Sequence, residues 1–320
     1  MYTYLHKIFN KYMIKIINFK EIKPILIAIS GGQDSLSLVK LIQDFQKNHS
    51  INIQYIYIDH QWKKDSKYQI KHLINYINSN QNKIFIYQIK KITFSELEAR
   101  QIRYQILIKH ALKNKINKIL TAHTQTDQIE TFLQQLIRGS TIDGSTSLTF
   151  YRKLNKDIAL YRPLIRIKRI DIHWFCRKFC LPVWSDITNY NYKINRNKLR
   201  NELIPYLSHY YISNIEKNIY SFIQKSKIDN EYIKQNTIKL YLFSRHQKNI
   251  ALNIKLIKKQ HLSLQQRTLQ IFFYHNFNKL LNRDSLFKII NLIQQNQIYT
   301  NKIKWEHLTI NINNYWIYIN

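Results

Sequence analysis

Apolar residues in this chain gather into short β-branched and aromatic runs, with stretches of helical spacing between them. Ile25 to Ile29 is an apolar run of strand length, after which Leu38, Ile42 and Phe45 recur at intervals that place them on one helix face. Ile51 to Ile58, Ile84 to Ile89 and Lys118 to Ala122 are further strand-like runs. This repeated strand-then-helix order predicts an α/β fold, a Rossmann-like parallel sheet with helices on both faces. Beyond Pro205 the pattern changes. Ile215 to Ile228, Leu264 to Leu280 and Asp284 to Ile293 carry helical spacing with no strand between them, and Ile303 to Ile319 alternates around Asn313 and Asn314 as a β-hairpin would. The expectation is two domains, 1–205 and a smaller, mainly helical 206–320, dividing near Tyr206.

With 320 residues, 45% of them hydrophobic, the chain can bury a core in one large domain and a smaller one. Lys, Asn or Gln interrupts each Ile-rich run well short of the roughly 20 apolar residues that a membrane helix needs, so no membrane association is expected. The N-terminal stretch is basic and partly apolar but lacks the long apolar core and cleavage site of a secretory signal. Cys176 and Cys180 have no second pair to complete a disulfide framework or a zinc site, which fits a reducing compartment.

Charge narrows the choice of partner. Fifty Lys and Arg against nineteen Asp and Glu leave +31, a field that concentrates polyanions, and nucleic acid is the natural one. A/T-rich coding bias would also enrich Lys, Asn, Ile and Tyr, so single lysines carry little weight and arginines, which such bias disfavours, carry more. The same bias makes the four glycines informative: Gly31, Gly32, Gly139 and Gly144 survive where nearly all others are gone.

Ser30-Gly31-Gly32-Gln33-Asp34-Ser35 stands where the first strand hands over to the first helix, the place at which such a sheet binds its ligand. Two glycines let successive N–H groups point inward, and the helix N-terminus and two hydroxyls add donors for phosphate oxygens. It is not a Walker A loop, since no Gly-Lys-Ser/Thr is present, so Mg²⁺ would have to supply charge. The plainer reading is an ordinary turn capped by Asp34 and Ser35. Asp59-His60 closes the second strand, and Arg100, Arg103 and Tyr104 fall near one face of a helix, within reach of a nucleotide's base, ribose or phosphates. Taken alone, they would also suit a capped loop and a solvated face. After the fourth strand comes Thr121-Ala122-His123 followed by Asp127, Glu130 and Thr131, then Arg138-Gly139. Asp127 and Glu130 are three apart, so a helix turns both carboxylates the same way, toward Mg²⁺ or a substrate ammonium. The alternative makes Asp127 an N-terminal charge and Glu130 its capping-box partner. Arg162-Pro163-Leu164, then Trp184-Ser185-Asp186 with Asn189, then Arg196-Asn197 with Arg200 follow. Arg196 can bind an anion bidentately or pair with Asp186.

These motifs, over about the first two-thirds of the chain, resemble the PP-loop of the N-type ATP pyrophosphatases and, within them, the tRNA(Ile)-lysidine synthetase family. The resemblance implies ATP as substrate with Mg²⁺, free lysine, and a tRNA(Ile) with a CAU anticodon as partners. ATP would adenylate C2 of the wobble cytidine, and lysine would displace AMP to give lysidine. It further implies that Ser30, Gly31, Gly32, Gln33, Asp34, Ser35, Asp59, His60, Arg100 and Arg103 hold ATP, that Asp34, Asp127, Glu130, His123 and Arg196 serve the chemistry, and that Asp34 and Asp127 hold the metal. Domain 206–320 would read the tRNA. The chain departs from the family at Ile142 to Phe150, where only Gly144 stands for a usually Gly-rich loop, and at Gln61-Trp62, which replaces a usual Gly-Leu. A tRNA thiolase on the same loop and a tRNA-binding protein without catalysis are the rival readings. Thiolases rely on reactive cysteines or a cluster, whereas Cys176 and Cys180 lie beside Trp174 and Phe175 in a helix-like, packed setting. The A/T bias and bacterial type point to an organelle-encoded protein of the plastid (chloroplast) stroma, with a bacterial cytoplasm as the alternative; a homodimer is left open.

Overall fold

The structure, a computed structural model, describes residues 2–17, 23–61, 66–78, 82–89, 95–184, 195–295 and 301–319. The chain divides into two compact units, Met1–Ile223 and Gln224–Asn320.

In the first unit the elements run α1 (Tyr4–Ile16), β1 (Ile25–Ile29), α2 (Gln33–Gln46), β2 (Ile53–Asp59), α3 (Ser66–Asn78), β3 (Lys83–Gln88), α4 (Glu96–Lys113), β4 (Lys118–Leu120), α5 (Gln125–Ile137), α6 (Ile142–Ser145), β5 (Tyr151–Lys153), β6 (Ala159–Tyr161) and α7 (Arg169–Lys178). The sheet order is β3-β2-β1-β4-β6-β5, with all pairings parallel except β5 to β6. Alternation along β1 explains why both faces are covered. Ile25, Ile27 and Ile29 pack on one side with Leu36, Phe45, Leu73 and Phe175, from α2, α3 and α7. Leu26 packs on the other with Leu107, Ala111, Ile119 and Leu160.

The expected strands are present within a few residues of their predicted bounds. Two elements were not foreseen. The basic N-terminal stretch is the helix α1, whose Leu5, Phe9, Met13 and Ile16 are buried in the main core. The hairpin of β5 and β6 adds the antiparallel edge, its strands too short to show a period.

The order in which strands are added reverses between the parallel neighbours β1 and β4, so their carboxyl ends flank the topological switch point, where sheets of this class bind ligands. A further helical stretch comes from α8 (Asn195–Lys198), a π-helical turn over Leu199–Leu203 and α9 (Ile204–Tyr210). Pro205 accounts for the wide turn: it has no N–H to donate, and its ring pushes against the carbonyl four residues before. Leu199 and Ile204 bury their side chains with Ile129, Phe132 and Leu133 of α5, each such burial contributing about 1.5–3 kcal/mol.

The long helix α10 (Ile215–Ser244) runs into the second unit, which continues with β7 (Ala251–Asn253), α11 (Ile254–Lys258), α12 (Leu262–Phe277), α13 (Arg283–Gln294), β8 (Asn301–Trp305), β9 (Leu308–Ile312) and β10 (Trp316–Ile319). The predicted hairpin around Asn313 is β9 with β10. It belongs to a four-stranded antiparallel sheet, β7-β10-β9-β8, so a strand does intervene among the helices, contrary to expectation. Phe272, Phe273, Ile289, Trp305 and Ile310 form its core. No helix among the described residues is long and apolar enough to cross a membrane.

Candidate functional site

The turn after β1 is built from backbone. Gly31 has φ +78°, a left-handed conformation that favours glycine, and a Cβ there would lie 2.7 Å from Nε2 of Gln69, whose amide would have to shift. Gln69, on α3, donates from that nitrogen to the Ser30 carbonyl at 3.2 Å and braces the loop. Ser35 Oγ accepts from the Ser30 N–H at 2.9 Å, and Gly32 caps α2, whose first turn holds Gln33, Asp34 and Ser35. Of the hydroxyls expected to face phosphate, that of Ser35 therefore also closes the turn. Asp34 Oδ1 is buried without a partner. Burial, with Asp127 and Glu130 nearby, pushes its carboxyl up to about 6 against the opposing pull of Arg169 and Arg200.

The turn after β4 is built from charged side chains. Thr124 caps α5, and Asp127 Oδ2 accepts from its N–H at 2.7 Å and its hydroxyl at 3.1 Å. The capping-box partner is thus Asp127, not Glu130. Glu130 is fully buried: its carboxylate takes Nε of Arg196 at 2.6 Å and, bidentately, Nε and Nη2 of Arg200 at 2.5 and 2.9 Å. Arg196 Nη2 also reaches Asp127 Oδ1 at 2.5 Å. Arg196 and Arg200, four apart on one helical stretch, clamp two carboxylates three apart on another. Packing of Leu199 against α5 sets this register. Arg196, the candidate for a substrate anion, is here engaged by Asp127 and Glu130. Asp186, its alternative partner, and the neighbouring Ser185 and Asn189 lie outside the described residues, as does Trp62.

His123 shares a hydrogen bond with Thr121, Nδ1 to Oγ1, at 3.0 Å. Burial is the largest influence on it; Asp127 favours its charge, but Arg162, Arg196 and Arg100 oppose, and the imidazole is pushed down to about 3. It is neutral at pH 7. Asp127 is held below the usual carboxylate range: burial works to raise it, but Arg196, His123, the Thr124 N–H and Arg200 outweigh that. At the end of β2, Asp59 Oδ1 accepts from the N–H of Gln61, which has φ 56°, and so caps the turn. His60 Nε2 lies 3.5 Å from Arg103 Nη2. Arg100 stands over the Tyr104 ring. Gly139, φ +71°, ends α5 in a left-handed cap, its N–H donating to the Leu136 carbonyl and that of Ser140 to Gln135.

Asp34, Asp127, Glu130 and Arg196 thus share one electrostatic neighbourhood, with Arg200 and Arg169 added to it. Arg169 and Gln69 carry no motif signal; Arg200 could have been chosen from its helical spacing to Arg196. The cysteines are both free and differ from each other: Cys176 is buried, its Sγ 3.0 Å from Ser37 Oγ, with its thiol pushed up by burial, whereas Cys180 is exposed just past the end of α7. A protonated, packed Cys176 is no sulfur-transfer nucleophile.

Comparison with known proteins shows the family. Residues 4–207 match the PP-loop domain family. The chain is 54% identical, over 99% of both chains, to a protein named tRNA(Ile)-lysidine synthase, chloroplastic, from Gracilaria tenuistipitata var. liui. It is 37% identical to the protein of that name from Pyropia yezoensis, over 99% of this chain and 96% of the other. Among solved structures, the U34-tRNA thiolase NcsA from Methanococcus maripaludis, with its 4Fe-4S cluster, shares the fold: TM-score 0.54 at 14% identity, covering 69% of this chain and 78% of that one. A glycine turn and a carboxylate–arginine clamp at one switch point, in a sequence so close to these relatives, place the chain in the tRNA(Ile)-lysidine synthase family of PP-loop proteins.

Proposed function

We propose that this protein joins lysine to C2 of the wobble cytidine in a tRNA(Ile) with a CAU anticodon, consuming ATP. The cytidine C2 oxygen attacks the α-phosphorus and pyrophosphate leaves; the lysine amine then attacks C2, and AMP departs with that oxygen, giving lysidine. The observation that carries the reading is the meeting of two opposite devices at one switch point. A glycine turn at the N-terminus of α2 suits phosphate oxygens, and the carboxylate pair beside it suits an amine.

Mg²⁺ fits the residues present. The buried, unpartnered Asp34 Oδ1 is a hard oxygen ligand, and one or two carboxylates with substrate phosphates make up the usual Mg²⁺ environment. Bound there, the ion would neutralise charge on the leaving pyrophosphate. Asp127 could contribute only by releasing Arg196, because Thr124 and Arg196 occupy its oxygens. Asp127 and Glu130 orient the incoming ammonium and Asp127 helps remove its proton, each exchanging an arginine for the substrate. Neutral His123 can accept a hydrogen bond but has no proton to spare as an acid. Ser30, Gly31, Gly32, Gln33 and Ser35 cradle the phosphates, with Asp59, His60, Arg100 and Arg103 flanking the nucleotide.

Residues 206–320 bind the tRNA, which the whole chain's net charge of +31 attracts. Relatives named chloroplastic, together with the A/T bias, support a plastid location, in the stroma, for an organelle-encoded protein. Labelled lysine, ATP and separate tRNA transcripts test the reading: label should enter only the CAU-anticodon tRNA(Ile). Label in none, with no tRNA-dependent pyrophosphate release, would refute it.

A further inference from the structure

Arg162 follows β6 and is 1% exposed. Its Nη1 donates to the Thr149 carbonyl at 2.7 Å, its charge acts on the Tyr104 hydroxyl, and its Nε meets no acceptor. Tyr104, on α4, is half-buried above it. The guanidinium carbons of Arg100 and Arg152 stand 5.8 and 5.5 Å from the Tyr104 ring centroid, and both side chains are exposed. Among the described residues none of these three arginines has a carboxylate partner.

A guanidinium keeps its charge at any ordinary pH, and burying one without a counter-charge is costly. Burial and the charges of Arg152 and Arg100 pull Arg162 below its usual value, with only the Tyr104 phenol opposing. Burial would raise that phenol, but Arg162, Arg100 and Arg152 outweigh it and leave the hydroxyl below its usual range. Positive charge is concentrated around one hydroxyl, and no carboxylate among the described residues pairs with it. The cluster is separate from the glycine turn: Arg152 lies on the edge strand β5 and Arg162 just past β6, on the side of β4 away from β1, and the cations that act on Asp34 are Arg169 and Arg200. His123 feels the positive charges of Arg162 and Arg100 together with the negative charge of Asp127.

We propose that Tyr104, Arg152 and Arg162 form an oxyanion subsite for a substrate group other than the phosphates of ATP. Guanidinium forks around a phenol match a planar carboxylate or a phosphodiester equally well, so lysine's carboxylate and the RNA backbone are the two sources of the same chemistry. This rests on the function proposed above, and wild-type lysine transfer is the control that tests that function by itself.

Full-length Arg152→Gln and Tyr104→Phe proteins, checked for native circular dichroism, separate the sources. Lysine is compared with 1,5-diaminopentane, the same amine without its carboxylate, and tRNA affinity is measured against salt. A carboxylate source predicts a KM for lysine raised about 10-fold or more, with wild type's preference for lysine over the diamine collapsing. A backbone source predicts weaker tRNA binding and a shallower log–log salt slope by about 0.7–0.9 for Arg152→Gln. If lysine KM, the amine preference and the salt slope all stay within twofold of wild type in both variants, there is no oxyanion subsite. Loss of transfer in wild type itself would instead overturn the function, while the RNA arm would still report on the subsite.

Discussion

The turns that leave β1 and β4 are neighbours at one end of the sheet, yet they manage charge by opposite means. The first offers backbone amides and leaves Asp34 Oδ1 buried and unanswered. The second saturates its carboxylates: Glu130 takes Arg196 and Arg200, and Asp127 takes Arg196 and Thr124. The first therefore holds a group whose charge the fold resists, and the second holds charges that help knit α5 to the helical stretch bearing the arginines. A site that must admit a nucleotide and align an amine can use both, one poised to gain a cation and the other rigid until a substrate displaces an arginine.

The sharpest way to break the contrast is to empty the clamp. Glu130→Ala removes the buried carboxylate that both guanidinium groups share and leaves Asp127 as their remaining counter-charge, and because both arginines are partly exposed the loss should be about 3 kcal/mol, the low end for a broken buried pair. Chemical denaturation should show that loss with the midpoint moving and lysine transfer falling with it. The mirror experiment is Asp34→Asn. Because the fold resists that charge, the thermal midpoint should hold or rise while tRNA-dependent pyrophosphate release falls about 10²–10³-fold. A drop in stability as large as that of Glu130→Ala would erase the distinction between the two turns.

Gly31→Ala tests the backbone device at smaller scale. A left-handed φ costs a side chain about 1–2 kcal/mol, and the new Cβ would also press on Gln69. The KM for ATP should rise, and adding Gln69→Ala should relieve the crowding but leave the φ cost. Full recovery in the double variant would mean that contact alone demands glycine.

How much of this could be read in advance follows from what sets each feature. Local chemistry announces itself: Gly31 and Gly32 mark the turn, and the three-residue spacing of Asp127 and Glu130 survives as two carboxylates facing one way. Partnership does not. That Arg196 would meet Asp127 and Glu130 depends on Leu199 and Ile204 docking on α5 across more than sixty residues of chain, which no local pattern records. Gln69 was invisible for the same reason, since a glutamine on an amphipathic helix reads as solvated until the loop beneath it is placed. The edge hairpin of β5 and β6 is too short to carry a period, and in α1 basic residues interleave with Leu5, Phe9 and Met13 and mask their helical spacing.

The smallest and most discriminating effect is in pH. For Asp34 the folded value of about 6 lies above the ordinary 3.8, so the folded protein takes up a proton that the unfolded chain declines. Its contribution to stability grows as pH falls from above 6 toward 4. Asp127 is lowered instead: its contribution is present above the ordinary carboxylate value and is lost as pH falls through its folded one. Between pH 7 and 5, then, wild type should gain stability relative to Asp34→Asn while its affinity for Mg·ATP weakens, because the ion requires the carboxylate that protonation removes. Thermal midpoints and Mg·ATP binding measured on the same samples should move in opposite directions across pH 6. If they fall together on the acid side, Asp34 is an ordinary paired carboxylate, and the difference between the two turns disappears.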